Sequence, residues 1–526
     1  MNSDEPSRSN GSLLKYVLTG FAGILGYGAL VALGQDKSRL LRYPMDRAYA
    51  DLAIAREWAT SGLLGAGGER LPAHMDSLWQ GLLALAYRGG AQLLATPLIV
   101  SLPFALISLW AVLLWARAIQ PRPAYLWWTT AAWVLTAPLA LDAFSGRSLV
   151  LACALAAAAF VIHQRGLRPG ATPLPLIAAA LVGLALLVRV ELAVLWVLFG
   201  LHALVLAALR RIDASWQVVL VRWINGFILG AIFLLPVIWW NRQALEVPWP
   251  VAPDAATTAI FAGMPGAAES GGAAAAWTAL LRGPYLADSL IRLFVLAGAG
   301  CLAYDLYRGR VPAAASAVFL GVLAPPVFAV LYPFLGAEAL PHIQRALLPA
   351  WVLLAGYAVL RGADGLDQLT GRAHLPVPRA YIFIAAIILL GAMPVLAGLR
   401  GQVLAHRDLR DARNAAHEAR AQVAMKLGPA AQFQGGLVSE QPGWLMFQRY
   451  SKVFDLSGRL HPVAINWIYG GALRDSKGFT DYLRGQGIGT AVFWSPAPAS
   501  IATQFSCPPY PEPGPVVCTL SPNAAP

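Results

Sequence analysis

The sequence predicts an all-α polytopic membrane protein with about eleven transmembrane helices, followed by a small C-terminal α/β domain. Of the 526 residues, 58% are apolar and only 13% are charged. A soluble domain usually carries roughly 25% charged residues. The mean hydropathy is +0.58. So few charges cannot cover the surface of a water-soluble protein of this length. The composition therefore excludes an ordinary soluble enzyme, a disordered chain and a fibrous repeat.

Long apolar runs set the number of predicted spans. Residues 1–13 are polar and form a short tail, and the run 14–34 is too long for the apolar part of a signal peptide, so it is predicted to be an uncleaved first span. Ten further runs approach the roughly 20 residues that a bilayer requires: 92–116, 124–141, 147–163, 173–188, 192–209, 223–240, 285–304, 311–335, 344–361 and 380–398. The shorter apolar stretch Ser77–Tyr87 predicts a re-entrant or interfacial helix.

Arginine placement predicts the orientation. With a cytoplasmic N-terminus, every inside connection is basic, whereas the outside connections 142–146 and 336–343 contain no Lys or Arg. An odd number of spans then places residues 399–526 outside. The predicted domains are thus a membrane domain, 14–398, with an external loop at 35–91, and a soluble domain, 399–526.

The net charge of +12 does not indicate a nucleic-acid partner, because the basic residues lie singly between apolar runs. Loops facing anionic membrane lipids account for them better.

The C-terminal segment has features of a small folded domain. It opens with a charged helical stretch, His406–Lys426, and continues with strand-like pieces at Lys452–Leu456, Ala464–Tyr469 and Gly489–Trp494. Cys507 and Cys518 flank a Pro-rich loop short enough to be closed by one disulfide, which would need an oxidising compartment. Cys153 and Cys301 lie in apolar runs and are expected to be apolar packing residues.

The first external loop contains the leading candidate for chemistry. Residues 47–60 have helical spacing, with Ala48, Leu52, Ala55 and Ala59 on one face, and Asp46 directly precedes them. A carboxylate at a helix N-terminus is stabilised as the anion. Asp46 is therefore either a helix cap alone or a functional carboxylate. In the same loop, Glu69, His74 and Asp76 are either a weak metal-site candidate or simply solvated groups.

Ionisable residues also lie at the predicted outer ends of later spans. Arg189 and Glu191 interrupt an apolar region, and His342 and Arg345 begin a span. Such groups are costly at membrane depth and often mark function, although Arg189 and Glu191 could equally be a pair that holds helices together. One carboxylate and two arginines at one membrane surface suit a phosphate-bearing lipid, because arginine binds phosphate bidentately and a carboxylate accepts a proton from a hydroxyl.

Five pieces of the sequence, in order along the chain, resemble motifs of polyprenyl-phosphate-dependent membrane glycosyltransferases of the GT-C fold. The first loop, with Asp46, Tyr49 and Arg56, then Gly62, Glu69 and Ser77-Leu-Trp79, is similar to the family's first periplasmic loop. The other matching pieces are Phe144-Ser-Gly146, Arg189-Val-Glu191, Arg345-Ala-Leu-Leu-Pro349 and Asp455-Leu-Ser-Gly458.

The resemblance implies a bacterial inner-membrane enzyme with a periplasmic active site. It would transfer a sugar, with inversion, from a polyprenyl-phosphate donor to a glycan, lipid or protein acceptor. Asp46 would be the general base, and the donor phosphate would face Arg345, Arg189 and His342. Supporting roles fall to Arg47, Tyr49, Arg56, Glu69 and Glu191. No cofactor is expected, although a divalent metal stays an alternative.

The chain departs from the family pattern at Arg47, where a second acidic residue is typical. This departure removes a carboxylate that could bind a metal. It also keeps open one rival function, a non-catalytic membrane scaffold. A second rival is a transporter or flippase for a lipid-linked substrate, which would predict inverted repeats in the sequence.

Overall fold

The computed structural model describes two connected parts, a helical bundle and a C-terminal mixed sheet. The described residues are 10–33, 42–66, 69–70, 76–136, 138–167, 174–245, 278, 285–286, 288–335, 339–372, 378–450, 452–456, 476–494, 505–508 and 515–520.

The first eleven helices run from the N-terminus to residue 245: α1 Asn10–Leu33, α2 Asp46–Ser61, α3 Ser77–Arg88, α4 Thr96–Ile119, α5 Pro123–Thr136, α6 Leu139–Ala143, α7 Leu149–Gly166, α8 Leu174–Leu186, α9 Ala193–Ala208, α10 Trp216–Ile232 and α11 Leu235–Leu245. Six more follow: α12 Ser289–Tyr307, α13 Leu320–Leu335, α14 Ala339–Arg372, α15 Arg379–Leu427, α16 Gly443–Phe447 and α17 Ser476–Gly485.

Within the described residues, each predicted span coincides with one or two helices, which confirms a multi-pass all-α membrane domain. By length and composition, seven described segments can cross a membrane. The predicted spans 124–141, 173–188, 192–209 and 311–335 are shorter helices, the last one preceded by the 3-10 segment Ala313–Phe319. The stretch predicted to be interfacial is α3, whose 12 residues extend only about 18 Å, well short of the roughly 30 Å hydrocarbon core.

Helix α14 forms the centre of the bundle. Its apolar part is almost wholly buried, and it packs against α5, α7, α12 and α15. By contrast, α1, α10 and α15 turn most of their apolar surface outward, as helices facing lipid do. The residues that α14 presents at its N-terminal end, His342 and Arg345, are therefore held rigidly inside the protein.

Helix α15 connects the bundle to the C-terminal domain without a break. It has 49 residues, roughly 70 Å at 1.5 Å per residue, and ends before Gly428 at φ +73°. The charged helix predicted at His406–Lys426 is its second half. The predicted domain boundary at 398/399 therefore falls inside one helix, because no residue there breaks helical backbone.

The C-terminal domain is built on a five-stranded sheet in the order β4-β3-β5-β7-β6. The strands are β3 Gly436–Ser439, β4 Val453–Asp455, β5 Ile488–Phe493, β6 Phe505–Ser506 and β7 Val516–Leu520, while β1 Gly65–Ala66 and β2 Glu69–Arg70 form a separate hairpin in the first loop. Strand β3 is parallel to β4 and β5, and β7 is antiparallel to β5 and β6. With α16 and α17, this is the predicted α/β domain, although the predicted strand Ala464–Tyr469 lies outside the described residues.

The sheet register explains the predicted disulfide. Ser506 of β6 is paired with Thr519 of β7, so the next residue, Cys507, comes opposite Cys518. The two sulfurs are bonded in the structure. Cys153 is buried among apolar helices, as expected, and Cys301 is half-buried.

Candidate active site

The predicted site residues of helix α2 lie on two different faces, one toward the bundle and one toward the C-terminal domain. Arg47 and Asp51 are four residues apart and share one face of the helix. Asp46 is five residues from Asp51, so the two carboxylates point about 140° apart around the axis. The face with Arg47 turns into the bundle, and the face with Asp46 turns toward the C-terminal domain. Of the predicted apolar face, Ala48, Leu52 and Ala55 are fully buried.

On the bundle side lies a group that we name the polar cluster: Arg47, Asp51, Asp76, Gln80, Asp142, Ser148, His342 and Arg345. A chain of contacts joins four of its members. Arg47 donates to Asp76 at 2.5 Å, Ser148 Oγ donates to the other oxygen of Asp76 at 3.0 Å, and His342 Nε2 lies 3.0 Å from the same hydroxyl. Helices α2, α3, α7 and α14 thus meet through hydrogen bonds rather than through apolar packing alone.

The second connection within the cluster is a bidentate ion pair. Arg345 donates through Nε to one oxygen of Asp142 at 2.5 Å and through Nη2 to the other at 2.9 Å. The two residues are only 6% and 5% exposed, so neither charge is solvated by bulk water. Arg345 has five N–H donors, and Asp142 takes two of them, which leaves donors for a further anion.

Asp51 differs from the other carboxylates of the cluster. Its Oδ1 accepts one hydrogen bond, from Gln80 at 2.8 Å, and no other hydrogen bond to this carboxylate is present in the described part of the chain. Burial raises the pKa of Asp51 to about 7, with the nearby negative charge of Asp76 as a second cause. The charge of Arg47 and the Gln80 bond act in the opposite direction. A carboxyl group that titrates near neutrality suits proton transfer.

Gly146 positions the connection that carries Asp142 and Ser148. Its φ is +75°, and a Cβ there would lie 2.7 Å from the Tyr43 ring and 2.8 Å from Ala48. This is the physical reason for glycine in the Phe144-Ser-Gly146 motif, since only glycine lets this turn approach α2 so closely.

We expect Gly146→Ala to destabilise the protein, because strained backbone and overpacking each cost roughly 1–3 kcal/mol. Thermal unfolding in detergent micelles measures this effect. The matched control is Gly28→Ala in α1, where a Cβ meets nothing within 4 Å. Equal melting temperatures for the two variants would show that the turn does not need glycine.

Arg189 and Glu191 form their own buried bidentate pair, with Nη2–Oε1 at 3.1 Å and Nε–Oε2 at 3.3 Å. They belong to the turn between α8 and α9, whose 3-10 segment Val190–Leu192 packs against α14. Both partners belong to the same turn, so the ion pair fixes the turn itself. The role of Arg189 at the donor phosphate and the supporting role of Glu191 stay predictions.

The metal candidates of the first loop stay a prediction, because only the Asp76 side chain is among the described residues. Asp76 is bound to Arg47 and Ser148, while His74 and the side chain of Glu69 lie outside the described residues. Among the residues that the structure places, no group of three or more His, Cys, Asp or Glu side chains could hold a metal ion.

Asp46 faces the C-terminal domain. It is the first residue of α2, whose N-cap is Met45, so the predicted cap of its own helix is wrong. Instead, its two carboxylate oxygens accept the backbone N–H groups of Gly443 at 2.7 Å and Trp444 at 2.8 Å, at the start of α16. Burial raises the pKa of Asp46, although these hydrogen bonds lower it.

The other end of α16 is held by the same helix α2. Arg56 donates to the carbonyl oxygens of Phe447 at 3.0 Å and Met446 at 3.3 Å. Short helices leave such terminal N–H and C=O groups without intrahelical partners. Asp46 and Arg56 thus satisfy both ends of α16, an arrangement that we name the α16 clamp.

Tyr49 and Arg420 extend this contact to α15. The Arg420 guanidinium lies 4.5 Å from the centre of the Tyr49 ring and donates to the carbonyl oxygens of Tyr43 and Pro44. Tyr49 also packs edge-on against Phe447. The predicted supporting residues Tyr49 and Arg56 therefore lie at the junction between the two parts of the protein, not in the polar cluster.

We expect Arg56→Ala to loosen the C-terminal domain, since it leaves two carbonyl groups at the end of α16 without their charged donor. Hydrogen bonds to charged groups contribute about 1.5–3 kcal/mol. Amide hydrogen exchange on the full chain should become faster in α16 and unchanged in α7. Arg88→Ala at the end of α3 is the control, and identical exchange in both variants would contradict the clamp.

Four cluster residues were not predicted: Asp51, Gln80, Asp142 and Ser148. Each lay beside a quoted motif, but their spacing gave no reason to separate them from solvated polar groups. Only Asp142 had a sequence feature that could have identified it, because it is an acidic residue in an apolar region just before the Phe144-Ser-Gly146 motif.

An apolar cavity of about 630 Å³ opens between α2, α3 and α11, and Trp58, Leu78, Leu82, Val237 and Trp240 are among the residues that line it. Leu187, two residues before Arg189, also lines it, and its carbonyl accepts the N–H of Leu78 at 3.2 Å. The cavity is therefore next to the start of α3, the helix that contributes Gln80 to the cluster.

No protein-family model and no curated protein matches this chain. Solved structures do. The chain is similar to ArnT from Cupriavidus metallidurans bound to undecaprenyl phosphate, with a TM-score of 0.51, 14% identity, and coverage of 98% of this chain and 99% of ArnT. It is also similar to the apo oligosaccharyltransferase of Archaeoglobus fulgidus, with a TM-score of 0.57, 13% identity, and coverage of 91% and 69%. At identities this low, the structural similarity establishes the fold alone. The predicted GT-C fold is thereby confirmed.

Proposed function

We propose that the protein is a membrane glycosyltransferase whose donor is a polyprenyl-phosphate-linked sugar. The observation that carries this proposal is the polar cluster within a GT-C fold, where a carboxyl group titrating near neutrality belongs to the same buried cluster as Arg345. The ArnT structure of the same fold is bound to undecaprenyl phosphate, which supports this class of donor. The orientation with this end of the bundle in the periplasm of a bacterial inner membrane is part of the proposal.

In the proposed reaction, Asp51 is the general base. Its carboxylate takes the proton of an acceptor hydroxyl, whose oxygen attacks the anomeric carbon of the donor. The bond between that carbon and the phosphate oxygen breaks, and polyprenyl phosphate leaves with the electron pair. Attack opposite to the leaving group inverts the anomeric configuration. The leaving group is already an anion at neutral pH, so it needs electrostatic stabilisation more than a proton.

Arg345 supplies that stabilisation in our proposal, through the donors that Asp142 does not use. Asp142 holds the guanidinium in place, and a rigid guanidinium binds phosphate bidentately. The apolar cavity between α2, α3 and α11 would take the first isoprenoid units, since its walls are aromatic and aliphatic.

Asp46 stays a prediction as the base, but the geometry favours Asp51. Both oxygens of Asp46 already accept backbone hydrogen bonds, and substrate would have to compete with α16 for them. The transporter and scaffold functions predict binding without sugar transfer, so an assay of transfer separates them from the enzyme.

The test uses the purified full chain in nanodiscs with a panel of radiolabelled polyprenyl-phosphate sugars. Candidate glycan, lipid and protein acceptors are added one at a time, and label leaving the lipid fraction is followed. We expect protein-dependent transfer from one donor, with loss of transfer in Arg345→Ala. Retention of the donors without any transfer would favour the scaffold, and movement of the donors across the bilayer would favour the flippase.

A further inference from the structure

A second cavity, of about 200 Å³, lies between α7, α8, α9 and α10. Helix α7 starts beside the polar cluster at Ser148 and reaches this cavity at His163, roughly 20 Å further along its axis. The cavity is therefore at the end of the bundle opposite the C-terminal domain. Neither the polar cluster nor the apolar cavity beside α3 contributes a wall to it.

Two tryptophans of the cavity wall, Trp196 and Trp223, each pack against a glycine of the facing helix. The Trp223 ring lies against Gly200, the Trp196 ring lies against Gly226, and a Cβ on either glycine would overlap the facing ring. Trp223 Nε1 also donates to the carbonyl oxygen of Trp196 at 3.1 Å. This reciprocal contact of α9 and α10 fixes both rings, so the apolar wall is preformed.

Two residues of opposite charge, Arg222 and Asp213, line the same cavity but do not form an ion pair with each other. Arg222 is half-buried and Asp213 is exposed. Within the part of the chain that the structure describes, neither side chain has a hydrogen bond or an ion-pair partner. The indole N–H of Trp196, itself only 7% exposed, is also buried without a partner. A buried donor without an acceptor costs about 1–3 kcal/mol, and a ligand that supplies an acceptor would recover this.

The position of the charges corresponds to the headgroup region of a bilayer. Arg222 belongs to the first two turns of the candidate span Trp216–Gln243, and tryptophans are enriched at membrane interfaces, where Trp216 and Trp223 flank this arginine. A ligand here would therefore come from the lipid phase, with its polar part level with Arg222.

We propose that this cavity binds a phospholipid whose headgroup carries both a phosphate and a primary amine, of the phosphatidylethanolamine type. Its phosphate pairs with Arg222, its ammonium group pairs with Asp213, and its glycerol and upper acyl region pack on Trp196, Phe199 and Trp223. A purely anionic lipid would leave Asp213 unpaired next to a second negative charge, so the pair of charges selects a zwitterion.

The proposal is tested by native mass spectrometry of the full chain released from nanodiscs. The nanodiscs contain equal amounts of phosphatidylethanolamine, phosphatidylcholine and phosphatidylglycerol of the same acyl composition. We expect retained lipid to be enriched in phosphatidylethanolamine by about tenfold over phosphatidylglycerol, as one charge-assisted contact predicts. Phosphatidylcholine should be intermediate, because its quaternary ammonium has no N–H donor. Equal retention of the three lipids would overturn the proposal.

Variants locate the binding. Arg222→Ala should lower retention of all three lipids, whereas Asp213→Asn should remove only the preference for the ethanolamine headgroup. Arg211→Ala, an exposed arginine of the same connection that does not line the cavity, is the matched control. Thermal unfolding in lipid-free detergent checks that each variant is folded. Unchanged preference in folded Asp213→Asn, or equal loss in Arg211→Ala, would contradict the assignment.

Discussion

Asp51→Asn is expected to slow sugar transfer by at least about 10²-fold, the lower end of the effect of a general base. The amide keeps the size of the side chain and can still bond to Gln80, but it cannot take a proton. The matched control is Asp46→Asn, the same chemical change on the same helix. We expect Asp46→Asn to retain most of the turnover and to loosen α16. Loss of turnover in Asp46→Asn, with turnover retained in Asp51→Asn, would make Asp46 the base.

The pH dependence of the wild-type rate has a predicted direction. Because burial raises the pKa of Asp51 to about 7, the ionised base is lost as the pH falls through neutrality. Transfer at limiting donor should therefore decline below about pH 7, and the residual rate of Asp51→Asn should not show this decline. If the transfer rate of Asp51→Asn declined below about pH 7 as the wild-type rate does, the titrating group would be a residue other than Asp51.

The same pKa shift predicts the effect of Asp51 on stability. A carboxyl group with a raised pKa in the folded state binds its proton more tightly there than in the unfolded chain. Its ionisation therefore opposes folding, and this cost grows as the pH rises from about 4, near the unfolded value, through about 7. Asp51→Asn should consequently be at least as stable as wild type at pH 8, which separates a catalytic loss from misfolding.

Arg345→Ala and Asp142→Ala are expected to be the most destabilising substitutions in the bundle. Each leaves its partner as a buried charge, and removing one partner of such a pair typically costs about 3–5 kcal/mol. Chemical denaturation of the purified protein, or the loss of folded protein from membranes, measures this. The double variant Asp142→Leu/Arg345→Met should be more stable than either single variant, because no charge is then left unpaired.

That double variant also separates stability from function. We expect it to fold and yet to transfer no sugar, since the donors for the phosphate are gone. Wild-type turnover in the folded double variant would contradict the role of Arg345 at the donor phosphate. Single variants as stable as wild type would show that the pair is solvated rather than buried.

The sequence was sufficient to predict the fold because its signals are local. Apolar runs of membrane length gave the helices, and alternating short segments gave the strands β4 and β5. The pairing of Cys507 with Cys518 followed from one short loop. The predicted boundary at residue 399 lies within α15, because polar composition changes there while helical propensity does not.

The arrangement of the site could be predicted only in part, because it depends on directions that spacing along the chain does not fix. Asp46 and Asp51 are both acidic residues of α2, and the rotation of that helix decides which one enters the bundle. The partner of Arg345, Asp142, lies about 200 residues earlier in the sequence, and no local pattern connects them. Likewise, the α16 clamp depends on the packing of the C-terminal domain against α2, which joins residues about 390 positions apart.

The most direct test of our account is the position of polyprenyl phosphate bound to the full chain in a nanodisc, determined by electron cryomicroscopy. We predict that the phosphate lies within hydrogen-bond distance of Arg345, close to Asp51, with the first isoprenoid units between Leu78 and Trp240. A phosphate held by other residues, with Arg345 still bound only to Asp142, would contradict the assignment of the polar cluster as the active site.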